Sequence, residues 1–72
     1  MLINFNDLQI PFPRLAPGTV LISPDDTRYL KSIGDDLEYY WVHAKGLWSN
    51  QVHFDAELLK DIGDGEGWKV LP

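Results

Sequence analysis

Three prolines, Pro11, Pro13 and Pro17, fall within seven residues of one another near the start of the chain. Proline lacks a backbone N–H and fixes φ, so neither a helix interior nor a central strand can pass through this stretch. Ile10-Pro-Phe-Pro-Arg-Leu-Ala-Pro17 is therefore expected to be extended and partly polyproline-like. Leu2, Ile3, Phe5 and Leu8 precede it. Residues 1–17 thus read as an arm too apolar to float free, which either covers one end of its own domain or docks on a partner. Regular structure has to be built from residues 18–72, as a single small β-rich domain.

That domain has few means of support. The chain has 72 residues and no cysteine, which removes disulfides and thiolate metal sites. A domain of this length buries only about 60% of its unfolded surface. Two histidines, His43 and His53, are too few for a structural zinc site without carboxylate help. Aromatic packing or self-association is left to stabilise it. Three Trp, three Tyr and three Phe favour the first, with a homodimer still open.

Period-two patterning fills the centre of the chain. Gly18 opens a strand over Thr19–Ser23, with Val20 and Ile22 on one face and Leu21 on the other. Pro24-Asp25-Asp26 is a turn signal. Thr27–Ile33 follows as a strand, with Tyr29, Lys31 and Ile33 opposite Arg28, Leu30 and Ser32. After Gly34-Asp35-Asp36, Leu37–Ala44 sets Leu37, Tyr39, Trp41 and His43 against Glu38, Tyr40, Val42 and Ala44. Lys45-Gly46 reads as a short turn and Leu47–Val52 as a fourth strand carrying Trp48. Short connections favour an antiparallel meander.

One helix is expected, over Phe54–Ile62. Asp55 is a good N-cap, Phe54 and Leu59 fall at staple positions, and Gly63 suits the residue past the end. Trp68–Leu71 closes the chain as a strand. The class is α+β: a small twisted antiparallel sheet or SH3-like partial barrel of about three to five strands, with one short helix and the Pro-rich arm.

Charge narrows the partners. Eleven acidic residues against six basic ones give a net charge of −5. The basic residues are dispersed, so direct binding to nucleic acid, which relies on Lys and Arg displacing counterions, is not expected. No stretch approaches the ~20 apolar residues of a membrane span. Met1–Asp7 does not read as a signal peptide, and a cytoplasmic protein without membrane contact is expected.

No catalytic constellation stands out. His43 and His53 lie ten residues apart with no nucleophile motif beside them. Gly63-Asp-Gly-Glu-Gly67 follows a helix and carries acids where a phosphate would sit. Asp61-Ile-Gly-Asp-Gly-Glu66 lacks calcium-loop spacing. The reading is therefore not an enzyme, with no cofactor and no metal. Contact with a protein falls instead to the aromatic group Tyr29, Tyr39, Tyr40, Trp41 and Trp48, because Trp and Tyr supply large contact areas with a polar tip. Asp35, Asp36 and Glu38 form its acidic border.

The motifs Pro17-Gly-Thr-Val20, Tyr29-Leu30, Tyr40-Trp41, Trp48-Ser49 and Gly67-Trp-Lys-Val-Leu71 resemble those of short Trp-rich accessory proteins of bacteriophages and prophages. The resemblance covers residues 17–72. It implies a non-virion protein acting on a host protein, in the host cytoplasm, and transfers no site residues. The expected function is a protein-binding module of a mobile element. One alternative is an acidic nucleic-acid mimic that uses Asp25, Asp26, Asp35, Asp36 and Glu38, although two turns at opposite ends of one strand should keep these acids apart. The other is a structural homo-oligomeric phage accessory protein.

Overall fold

The computed structural model describes residues 1–44 and 50–72. Its elements are β1 (Ile3–Asn4), two 3₁₀ turns (Phe5–Asp7 and Phe12–Arg14), β2 (Val20–Ile22), β3 (Arg28–Ile33), β4 (Tyr39–Ala44), β5 (Asn50–His53), α1 (Asp55–Ile62) and β6 (Lys69–Leu71). The strands form one open six-stranded sheet in the order β1-β6-β2-β3-β4-β5, with every pairing antiparallel. The class is α+β, as expected, but the sheet is open and has six strands where a sheet or SH3-like partial barrel of about three to five was expected, because the two-residue β1 joins from the N-terminal segment. From β2 to β5 the sheet is a meander. After α1 the chain returns to the other side of β2, and β1 adds itself to the outer side of β6. The expected turn at Lys45-Gly46, the start of the fourth strand and Trp48 lie outside the described residues.

The N-terminal segment departs from the expected extended arm. Pro11 and Pro13 belong to the second of its two 3₁₀ turns, because a φ near −65° suits a 3₁₀ helix as well as polyproline. Pro11 cannot donate, but its carbonyl accepts the Arg14 N–H at 2.9 Å, and the Phe12 carbonyl accepts the Leu15 N–H at 3.2 Å. Polyproline-like angles remain at Pro11 (φ −56°, ψ 140°) and Leu15 (φ −61°, ψ 138°), on either side of the second turn. That turn drives Phe12 and Leu15 into the chain's own core.

Every element on the inner face of the sheet converges on Trp41, which is wholly buried. Phe12 stacks on its ring at 5.2 Å and 5°. Its Nε1–H donates to the Asp55 carboxylate at the start of α1, at 2.8 Å. Leu21, Leu58, Ile62, Trp68 and Val70 complete the buried cluster, with Phe5, Leu8 and Tyr29 packed against it. The helix begins one residue earlier than expected relative to its cap: Phe54 is the N-cap and makes no side-chain capping bond. Asp55 is instead the first helical residue, and its carboxylate serves the indole. Phe54 and Leu59 are both exposed, so the staple does not form a buried pair.

Strand β4 also starts two residues late. Leu37 has φ 64° and belongs to the turn, in which the Leu37 N–H donates to the Gly34 carbonyl at 3.0 Å. Asp36 holds that turn by accepting the Glu38 N–H at 3.2 Å. At the other end of the chain, Gly65 has φ 81°, and a Cβ there would lie 2.6 Å from Phe5 Cδ1 and 2.5 Å from Asn6 Oδ1. This close approach seats the N-terminal segment against the loop before β6.

Two outcomes test this packing. Asp55→Ala leaves the buried indole N–H without its acceptor and should cost about 1–3 kcal/mol, whereas Asp55→Asn keeps an acceptor and should cost less. Urea unfolding followed by far-ultraviolet circular dichroism measures both. Gly65→Ala should destabilise more than Gly63→Ala, because both have positive φ but only the former meets neighbouring atoms.

Candidate binding surface

Strand parity decides which side chains can reach a partner. The register pairs Lys31 with Trp41, Leu21 with Tyr29, and Ile33 with Tyr39. These residues share the inner face, beneath α1 and the N-terminal segment. The expected aromatic patch therefore does not form as one surface. Trp41 is enclosed and cannot touch a partner; its bulk and its hydrogen bond are both used in the core. Tyr29 is half-buried and stacks with Trp68 at 6.3 Å. Tyr39 is exposed at the far end of the same face, while Tyr40 is half-buried on the opposite face. Asp35, Asp36 and Glu38 are exposed in the β3–β4 turn. Asp25 and Asp26 lie in the turn at the other end of β3, so the two acidic groups stay apart.

The histidines are brought together in a way their spacing did not reveal. Trp41 pairs with His53 and His43 with Gln51, which makes His43 and His53 diagonal neighbours on the inner face. His53 Nε2 lies 3.0 Å from His43 Nδ1, and the rings stack at 4.9 Å. Tyr29 presents its edge to both rings. On its other side, His53 Nδ1 is 3.9 Å from Glu57 Oε2. His53 thus directs its two nitrogens at different partners, His43 and Glu57. Among the described residues no group of three or more His, Asp or Glu could hold a metal.

The outer face of the sheet carries what the sequence reading overlooked. Leu71 pairs with Val20, Val20 with Leu30, Leu30 with Val42, and Val42 with Val52. Five aliphatic side chains so form one continuous row across β6, β2, β3, β4 and β5. Strands about 4.8 Å apart make this a strip roughly 19 Å long. Helix α1 and the N-terminal segment pack on the inner face. In the row, Leu30 is 46% and Val52 is 52% exposed, while Val20, Val42 and Leu71 are half-buried. On one side the strip is bordered by Lys69, Ile22 and Arg28, and on the other by Ser32 and Tyr40. The exposed Asp26 carboxylate reaches Arg28 at 3.6 Å. Beyond Tyr40 stand Glu38, Asp36 and Asp35. The strip thus has a mixed basic border along one side and an acidic turn beyond the other.

The N-terminal segment offers a second apolar feature, a groove of about 400 Å³ lined by Leu8, Ile10, Leu15, Pro17 and Pro72. No helix among the described residues is long and apolar enough to cross a membrane.

Tyr29 gives this surface a measurable titration. Burial raises its phenol above the usual range, and the Asp61 and Asp25 carboxylates add to the shift. Folding therefore favours the neutral phenol. Its contribution is complete below the ordinary phenol pKa of about 10 and is lost as pH rises through the raised value. Tyr29→Phe should remove that part of the alkaline loss of stability, read from melting temperatures between about pH 9 and 11.

No protein-family model, no curated protein and no solved structure matches this chain.

Proposed function

We propose that this chain is a small non-catalytic protein-binding module that docks through the outer face of its sheet. One observation carries the reading: the aliphatic row Leu71–Val20–Leu30–Val42–Val52 on the outer face, exposed at Leu30 and Val52. Side chains on a solvent-facing antiparallel sheet ordinarily alternate to polar, so an unbroken apolar row needs a cover. A complementary partner would lay an apolar ridge along the strip. It would also set basic groups against Asp35, Asp36 and Glu38, which gives direction to the contact and speeds encounter more than it adds affinity. Tyr40, at the border between row and acids, supplies the aromatic contact that the sequence assigned to a larger cluster. Within this proposal the partner is a host protein and the chain an accessory of a phage or mobile element, a part carried by the sequence resemblance alone.

The test is affinity capture from a bacterial lysate with the wild-type chain and with Leu30→Asp and Val52→Asp. Both positions are exposed, so the variants should retain the wild-type circular dichroism spectrum. A protein held by the wild type should be lost from both variants. Identical capture by all three chains would remove the outer face from the reading. A sedimentation experiment on the purified chain shows whether a second copy is the cover instead.

A further inference from the structure

Lys31 occupies an inner-face position of β3, opposite Trp41, and is only 2% exposed. Its ammonium donates to the Pro13 carbonyl at 2.9 Å. It also lies 5.3 Å from the centre of the Tyr39 ring and 5.7 Å from that of Trp41. Among the described residues no carboxylate pairs with it. An ammonium has three N–H donors, so one carbonyl leaves two of them to the ring faces or to something else. Burying a cation costs several kcal/mol unless an opposite charge or further hydrogen bonds compensate.

Beside this group the N-terminal segment and the sheet leave a cleft of about 510 Å³. Lys31, Arg14 and Tyr39 line it together with Leu15, Ala16 and Pro17. Two of the six basic residues of the chain therefore meet at one cleft, and none of its eleven acids lines it. In a chain of net charge −5 this is a local reversal of sign. Arg14 is exposed and brings a planar guanidinium fork; Tyr39 brings a phenol O–H. Leu15, Ala16 and Pro17 form an apolar wall.

We propose that this cleft is an anion site that takes a carboxylate carried on a short apolar stem. The carboxylate sits between the Lys31 ammonium and the Arg14 guanidinium, and the stem lies on Leu15, Ala16 and Pro17. A carboxylate suits the cleft better than phosphate, because it is planar, carries a single charge and leaves an apolar stem for the wall. The site is on the inner side of the sheet, so it stands or falls independently of docking at the outer face.

Amide chemical shifts of the ¹⁵N-labelled chain, titrated with sodium butyrate, acetate and phosphate, test the assignment. Butyrate should produce saturable shifts at residues 13–17 and at Lys31, with a Kd on the order of 1 mM, and should bind more tightly than acetate. Arg14→Ala should weaken binding about tenfold, the loss of one charge-assisted contact, and Lys31→Met should abolish it. Arg14 is exposed, so its variant keeps the test decisive even if Lys31→Met fails to fold. Acetylated alanyl-leucine with a free carboxylate, compared with its amide, distinguishes a peptide terminus from a small acid as the source; selective binding of the free acid or of butyrate supports the site. Absence of saturable shifts with every carboxylate, shifts unchanged in Arg14→Ala, or tighter binding of phosphate would overturn it.

Discussion

The burial of Trp41 is the constraint on which the rest of this structure depends. A short sheet cannot by itself enclose an indole, so material must be brought to it from both ends of the chain. Phe12 comes from the N-terminal segment and stacks on one side of the ring, while Asp55 comes from α1 and accepts the indole proton. Neither contact is a local one. Each is available only once the strands between them have paired, and so segment, sheet and helix become one cooperative unit. The same requirement explains why an apparently capping aspartate does not cap. A carboxylate at the first helical residue still benefits from the positive end of the helix dipole, yet it also satisfies a buried donor that would otherwise cost about 1–3 kcal/mol.

What the sequence made legible was parity and punctuation. Alternation groups Tyr29 with Lys31 on one strand and Tyr39, Trp41 and His43 on the next, and the register sets the two groups on one face of the sheet. Pro24-Asp25-Asp26 and Gly34-Asp35-Asp36 marked the two hairpin turns, since each supplies an aspartate whose carboxylate accepts a backbone N–H two residues on. Those local signals do not carry long-range pairing. Ile3 and Asn4 join β6 from the far end of the chain, and no pattern in a two-residue strand announces that. The 3₁₀ turn at Phe12–Arg14 is hidden because proline's φ serves two conformations equally. The burial of Lys31 depends on long-range neighbours, the Pro13 carbonyl and the Tyr39 and Trp41 rings, which no local pattern announces.

The aromatic excess was read as a binding surface, and in physical terms it is mostly the answer to the chain's size. With no disulfide, a domain this small needs side chains that bury a large area each. Phe12, Trp41 and Trp68 are spent in this way, with Phe5 and Tyr29 against them. The outer face then inherits the aliphatic residues of the same strands. Val20, Leu30 and Val42 alternate with core residues, so no separate pattern in the sequence distinguishes them from the hydrophobic positions of strands buried on both sides. The row becomes visible only when the register lines up Leu71 and Val52 with them.

Geometry also favours the face over the edges for recognition. Edge β1 offers only two residues and runs into a 3₁₀ turn, which is the kind of short, bent edge that resists added strands. The apolar row, by contrast, crosses five strands held by backbone hydrogen bonds in the plane of the sheet, with Trp41 packed beneath. Such a strip is rigid before any partner arrives, so little conformational entropy is lost on contact. Under the proposed docking, the exposed acids of the β3–β4 turn beside the row would favour a partner with a basic flank.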